Sequence, residues 1–205
     1  MNKFDAIINY IQETYSPEAI IVYGSYADES ANANSDFDAL VITDNIKKHD
    51  SSEVCGTILD VWIYPTSSFS EDYDPYEFIQ VFDGHIILDK EGTAERLKSA
   101  VNAYIDGLPL KTDEEINQEI DWCEKMYLRT LRGDAEGFYR WHWLLFDSLE
   151  IYFDIKKLHY FGPKKALRYM ESEDKEAFKV YSAALKELCS EHLSEWISYL
   201  KSLFD

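Results

Sequence analysis

The sequence predicts an α+β fold: a small mixed β-sheet with flanking helices, followed by a C-terminal helical bundle. Three observations predict it. Four short apolar runs, 19–23, 37–43, 57–64 and 85–89, read as strands, and all lie before residue 90. Gly107-Leu108-Pro109 punctuates the chain, and beyond it the apolar residues recur at helical spacing. The length, 205 residues, suits a division into domains of 1–108 and 109–205.

In chain order, Phe4, Ile7, Ile8 and Ile11 recur with helical period and predict an amphipathic helix over 3–14, broken by Ser16-Pro17. The strand 19–23 stops at Gly24. Polar residues 28–34 are expected to form a short helix and then a loop. Strand 37–43 is followed by a polar stretch, 44–56, that reads as a connection. The β-branched and aromatic content of 57–64 supports a third strand, closed by Pro65. Residues 66–76 read as loop and 77–82 as a short helix or strand. A fourth strand, 85–89, leads into a helix over 93–105. Thr112-Asp113-Glu114-Glu115 is a capping box, in which Thr112 satisfies an orphan amide while Glu115 reaches back. Ile116, Ile120, Cys123 and Tyr127 give the helix behind it one apolar face, and Gly133 interrupts it. A long aromatic helix is expected over 134–160. Gly162-Pro163 ends it and seeds the next, because proline is tolerated at the first helical position. Residues 164–171 and two helices within 173–203 complete the bundle.

Asp and Glu number 39 against 20 Lys and Arg, a formal net charge of −19. That balance repels a nucleic-acid backbone, so no nucleic-acid partner is expected and template-directed polymerisation is disfavoured. A nucleotide chelated to Mg2+ escapes the objection, because the metal offsets its charge. A cationic small molecule or a basic protein suits the acidic surface. Cys55, Cys123 and Cys189 are scattered without metal-binding spacing and read as reduced thiols. The start, Met1-Asn2-Lys3-Phe4-Asp5, lacks the apolar core of a signal peptide, and no run approaches the roughly twenty apolar residues that span a membrane. A soluble, cytoplasmic protein without a membrane partner is expected.

The chemistry concentrates in two motifs. Tyr23-Gly24-Ser25-Tyr26-Ala27 leaves the first strand in a small-residue turn, and Ser35-Asp36-Phe37-Asp38 enters the second. Side chains at i and i+2 of a strand share a face, so Asp36 and Asp38 sit side by side, able to hold a divalent cation near a phosphate at the Gly24-Ser25 turn. Asp60 falls within an apolar strand, where a carboxylate needs a partner, and a cation is the natural one. Mg2+ favours a few carboxylates with phosphate oxygens and water. The combination suggests phosphoryl or nucleotidyl transfer.

Gly24-Ser25, Asp36-x-Asp38 and Asp60 resemble the active-site pattern of the nucleotidyltransferase superfamily that includes DNA polymerase beta. The resemblance covers roughly residues 18–92. A helical domain following the catalytic one is similar in type to the kanamycin and lincosamide nucleotidyltransferases. The resemblance implies that Asp36 and Asp38 hold two Mg2+ ions and that Asp60 completes the site that activates an acceptor hydroxyl. It implies that Ser25 and the turn amides bind the terminal phosphates, and that Gly24 lets the backbone approach them. Attack on the α-phosphate of ATP, or of another nucleoside triphosphate, would release pyrophosphate. One departure stands out: relatives often carry a basic residue or second glycine after the Gly-Ser pair, whereas this chain has Tyr26-Ala27-Asp28-Glu29.

In the helical half, Lys156, Lys157, Lys164, Lys165 and Arg168 form the notable basic cluster. Lys164 and Lys165 are candidates for reaching the triphosphate; the alternative is a solvated helix start paired with Glu171 and Glu173. Tyr139, Trp141, His142 and Trp143 surround one helix, some facing the core and others a homodimer partner or an acceptor. The resemblance to kanamycin-type enzymes implies a carboxylate base from this half, for which Glu150, Glu136 and Asp134 are candidates. None of the five histidines shows ligand spacing, and none is assigned to catalysis. The acceptor is expected to be a small molecule, such as an aminoglycoside-like antibiotic. The alternatives are a protein-directed or antitoxin-like enzyme and a nucleotide-binding module without turnover. No Arg-x4–6-His spacing marks a fused ribonuclease.

Overall fold

The computed structural model describes residues 2–70 and 72–204; residues 1, 71 and 205 lie outside the described residues. Backbone contacts divide the chain into two units, residues 1–108 and 109–205.

The first unit opens with helix α1 (Lys3–Tyr15). Asn2 caps it by accepting from the Asp5 amide, and Ser16 ends it in the left-handed region at φ 45°. The strands are β1 (Ala19–Val22), β2 (Phe37–Thr43), β3 (Lys48–Asp50), β4 (Glu53–Val54), β5 (Thr57–Pro65) and β6 (His85–Asp89). They order as β3-β5-β2-β1-β6, with β4 also pairing to β5. β1 is antiparallel to β2 and β6, while β2 and β5 run parallel, making the sheet mixed. Ile20, Val22, Phe37, Ala39, Val41, Leu59, Val61 and Ile63 form one core with Ile7, Ile8 and Ile11 of α1. Alternation then turns Asp38, Leu40 and Ile42 of β2, and Asp60 and Trp62 of β5, to the opposite face. Helix α2 (Thr93–Asp106) lies against β1 and β6.

Two local expectations change, and one left between helix and strand is resolved. The stretch 44–56 is not a bare connection: β3 and β4 line the outer edge of β5 in antiparallel register. Short, polar edge strands carry little apolar pattern, which hides them in a sequence. The helical turn expected within 28–34 falls earlier, as a 3-10 turn at Gly24–Tyr26. The segment 77–82 is part of a 3-10 segment, Pro75–Val81, capped by Asp74.

The second unit contains α3 (Asp113–Thr130), α4 (Ala135–Ile155), α5 (Pro163–Glu173), α6 (Lys175–Lys186) and α7 (Ser190–Phe204). The Thr112–Glu115 capping box is present. Helix α4 ends at Ile155 rather than near 160, and Lys157 takes a left-handed φ of 55°. Trp141, Leu145, Leu149, Tyr152, Tyr181 and Trp196 lie in one buried cluster. Inside it the Trp196 indole donates to Ser148 Oγ at 2.9 Å and the Tyr181 hydroxyl to the Leu145 carbonyl at 2.7 Å. Asp174, between α5 and α6, accepts from the hydroxyls of Tyr152 (2.8 Å) and Tyr199 (2.9 Å), from Lys156 Nζ (3.1 Å) and from the Ala177 amide (3.1 Å). Among the described residues no helix is long and apolar enough to cross a membrane.

Candidate active site

The parallel register of β2 and β5 places Asp38 directly beside Asp60. Asp36 lies one residue before β2, two positions from Asp38, and so reaches the same side. One carboxylate oxygen from each of Asp36, Asp38 and Asp60 lies within 4.8 Å of the other two, and no other such cluster of potential ligands occurs among the described residues. Two like charges about 4 Å apart repel by about 1 kcal/mol in bulk water and about 4 kcal/mol at the dielectric typical of a protein surface. Three carboxylates held this close favour a cation between them.

The Gly24 turn is built onto this group. The Tyr23 amide donates to the Asp38 carbonyl at 3.1 Å, which pins the end of β1 over Asp38. Gly24 takes φ +65°, and a Cβ there would stand 2.3 Å from Asp38 Oδ2. The glycine is therefore required twice, by its backbone conformation and by the carboxylate that occupies the place of a side chain. Ser25 is buried at 6% exposure, and its Oγ has no hydrogen-bond partner among the described residues. Tyr26 instead packs on Phe37, with ring centres 4.9 Å apart, and contributes to the core. Burial, with Asp38 and Asp60 nearby, pushes the Tyr23 phenol well above its ordinary pKa, so it stays protonated beside the carboxylates.

The loop into β2 is held by its own polar side chains. Asp28 Oδ1 accepts from the Ser30 amide, Asn32 Oδ1 from the Asn34 amide, and Ser35 Oγ from the Asn32 amide at 2.9 Å. These turns set the direction in which Asp36 leaves the loop. Asn34, Ser35, Asp36, Gly56, Thr57 and Ile58 line a cavity of about 440 Å3 beside it.

Asp60 differs from its sequence reading. It is not enclosed by the apolar strand; its side chain is 43% exposed, on the face of β5 away from α1. Its partner is His49, whose Nε2 lies 2.6 Å from Asp60 Oδ1. In the sequence His49 reads as part of a polar connection, because β3 has too few apolar residues to show a strand pattern. The signal available is the alternation Lys48-His49-Asp50, with Asp50 buried on one side and His49 turned to the other.

The remaining candidates lie in the helical unit. Glu150 lines a cavity of about 250 Å3 with Lys111, Glu119, Trp122 and Asp147. Lys111 pairs there with Glu119 and with Asp154, while burial pushes the Glu119 and Asp147 carboxyls upward. Asp134 caps α4 through the Gly137 amide and pairs with Arg132, and Glu136 pairs with Arg132 and Arg140. Both carboxylates are thus engaged in the helix start. Trp141 is buried, whereas Tyr139 and Trp143 are exposed. Lys164 and Lys165 stand in the first turn of α5, where a positive charge opposes the helix dipole and adds nothing to helix stability.

The oxygen donors suit Mg2+: three carboxylates at ligand spacing, a glycine that makes room for one of them, and an unpartnered serine hydroxyl in the adjoining turn. One family model agrees with this chemistry. Residues 5–70 match the family model described as "Polymerase beta, Nucleotidyltransferase". No curated protein matches the chain. Among solved structures, a nucleotidyltransferase-like protein from Exiguobacterium sibiricum 255-15 aligns over 98% of this chain and 73% of its own, with 14% identity and a TM-score of 0.39. The match spans β1, β2 and β5 and includes every residue of the carboxylate group, so this part of the N-terminal unit is similar to nucleotidyltransferase domains of the polymerase beta type.

Proposed function

We infer that the protein transfers a nucleoside monophosphate, AMP from ATP, to a hydroxyl group of a small cationic molecule such as an aminoglycoside-like antibiotic. The observation that carries the chemistry is the convergence of Asp36, Asp38 and Asp60 beneath the Gly24 turn. These three residues would hold Mg2+, which when bound supplies positive charge to the phosphate oxygens and makes the acceptor hydroxyl more acidic. In the transfer, the acceptor hydroxyl gives its proton to a carboxylate or to water, its oxygen forms a bond to the α-phosphorus, the bond from that phosphorus to the bridging oxygen breaks, and pyrophosphate leaves. Asp36 and Asp38 orient the triphosphate end of the site, and Asp60 completes the set on the side of the acceptor. The Gly24-Ser25 turn offers the buried Ser25 hydroxyl and backbone amides to phosphate oxygens. Lys164 and Lys165 would add positive charge that the turn lacks. Most of the rate enhancement comes from positioning and charge neutralisation.

The net charge of −19 supports a cationic acceptor, and so does the cavity where Trp122 stands beside Glu119, Asp147 and Glu150. The same charge disfavours nucleic acid and anionic membrane surfaces, and a cytoplasmic protein is part of this proposal. A protein acceptor is the second reading, favoured by the exposed rings of Phe138, Tyr139, Trp143 and Phe146 along α4, a surface that would also serve a homodimer.

Incubation with labelled nucleoside triphosphates and Mg2+, first with aminoglycosides and then with cell lysate, separates these readings. A labelled small product supports the first, and a labelled protein band the second. Asp38→Ala should abolish pyrophosphate release while the protein stays folded; release at the original rate in that variant sinks the assignment. Lys164→Ala combined with Lys165→Ala should raise the nucleotide KM, and an unchanged KM removes both lysines from the site.

A further inference from the structure

We propose that His49 is a positioning residue for Asp60: it holds one carboxylate oxygen so that the other is presented to a cation shared with Asp36 and Asp38. The proposal rests on the metal-site reading above. Its basis is a row of three side chains across three adjacent strands. Asp38 on β2 stands beside Asp60 on β5, and His49 on β3 pairs with Trp62, two residues along the same face of β5. The diagonal from His49 to Asp60 is closed by the 2.6 Å contact between Nε2 and Oδ1.

The histidine is held at both ends. Its ring stacks on Trp62, with centres 4.4 Å apart and planes inclined by 24°. Its backbone is anchored by the next residue, Asp50, which is buried on the α1 side of the strand. Asp50 accepts from the Tyr15 hydroxyl at 2.6 Å, the Ser52 amide at 3.0 Å and the Ser52 hydroxyl at 2.5 Å. Alternation then obliges His49 to face the carboxylates. The edge strand is thus locked to the end of α1 on one side and delivers an imidazole to the site on the other.

A surface His–Asp pair as such contributes little to stability, commonly less than about 1 kcal/mol. Here the pair has a different use. Without His49, the half-exposed Asp60 carboxylate would turn freely and be driven off by Asp36 and Asp38. With Oδ1 held, Oδ2 is the oxygen left to bind a metal. Nε2–H donates in the neutral tautomer protonated at Nε2 as well as in the imidazolium, so the role does not require a charged histidine. Carboxylate ligands of metal sites are commonly held by such hydrogen bonds, and removing them lowers metal affinity by roughly 10- to 100-fold.

The test is Mn2+ binding to the free protein, followed by electron paramagnetic resonance, for wild type, Asp38→Ala, His49→Phe and His49→Gln. Phenylalanine keeps the stacking on Trp62 and removes the donor; glutamine restores an N–H. His49→Phe should weaken Mn2+ binding by about tenfold or more, with its far-ultraviolet circular dichroism unchanged. His49→Gln should recover part of the loss, and kcat should follow the same order at fixed metal. Binding within about twofold of wild type in His49→Phe, while Asp38→Ala is weakened, overturns the proposal and leaves the metal site standing. Tighter binding in His49→Phe also overturns it, because His49 would then be competing with the cation. If Asp38→Ala binds as well as wild type, the metal-site reading itself fails and takes the proposal with it. Should His49→Phe not fold, His49→Leu is the variant without a donor: Mn2+ affinity lowered by about tenfold or more supports the role, and affinity within about twofold of wild type overturns it.

Discussion

Replacing Gly24 with alanine should disable the site far more than it disturbs the fold. Two penalties follow from the geometry. At φ +65° an alanine occupies the left-handed region, at about 1–2 kcal/mol. Its Cβ would also lie 2.3 Å from Asp38 Oδ2 and 3.1 Å from Asp38 Cγ, far inside van der Waals contact. The Tyr23 amide holds the turn onto the Asp38 backbone, so the backbone cannot retreat without losing that bond. The carboxylate is the part that yields, and an off-rotamer side chain costs about 0.5–1.5 kcal/mol. The total, about 1.5–3.5 kcal/mol, corresponds to a fall in unfolding midpoint of about 3–14 °C for a chain of this size. The functional loss is larger, because the displaced carboxylate belongs to the cation group. Mn2+ affinity and pyrophosphate release should fall to the level of Asp38→Ala. Gly56→Ala is the comparator: φ is +72°, but nothing lies within 4 Å of its Cβ. It should show the backbone penalty alone and keep its Mn2+ affinity. Equal destabilisation of the two variants, with Mn2+ affinity intact in Gly24→Ala, would falsify this account of the turn.

Two further outcomes follow from buried polar groups. The Ser25 hydroxyl is enclosed without a partner among the described residues, and such a group costs about 1–3 kcal/mol. Ser25→Ala should therefore leave the protein as stable or more stable in urea unfolding, while the nucleotide KM rises; a destabilised variant with unchanged KM means the hydroxyl serves the fold instead. Asp174 is the other. Burial alone would raise its pKa, but hydrogen bonds from Tyr152, the Ala177 amide, Lys156 and Tyr199 outweigh burial and hold it below the ordinary Asp value. A folded pKa below the unfolded one means the stabilisation is fully present above about pH 4 and is lost as pH falls through the folded value. Asp174→Ala should cost about 2–4 kcal/mol at neutral pH, and the difference from wild type should shrink at acidic pH; a stability difference that stays constant across acidic and neutral pH refutes the assignment.

Several parts of this molecule are legible in the sequence alone. The Gly24-Ser25 turn and Asp36-x-Asp38 suggest a phosphate and cation chemistry through residue type and short spacing. The strands 37–43 and 57–64 show themselves by composition, and Thr112–Glu115 by a local capping pattern. The helix expected over 134–160 ends early because Lys157 leaves the helix in a left-handed conformation, a departure its aromatic neighbours conceal. His49 is hidden for a different reason. Its strand is three residues long and polar, and its importance comes from a partner eleven positions away on a neighbouring strand.

The sequence by itself determined the helices, the longer strands, their order and the motifs from which a chemistry is inferred, because helical period, strand alternation and turn residues act between near neighbours. Only the tertiary structure decided that Asp38 and Asp60 adjoin, that the place of a Gly24 side chain is taken by a carboxylate, and that Asp60 is open to solvent with His49 as its partner. Each of these depends on which strands pair and in what register. Register is set by burial of one whole face of the sheet against α1, a collective property that no short stretch of sequence carries.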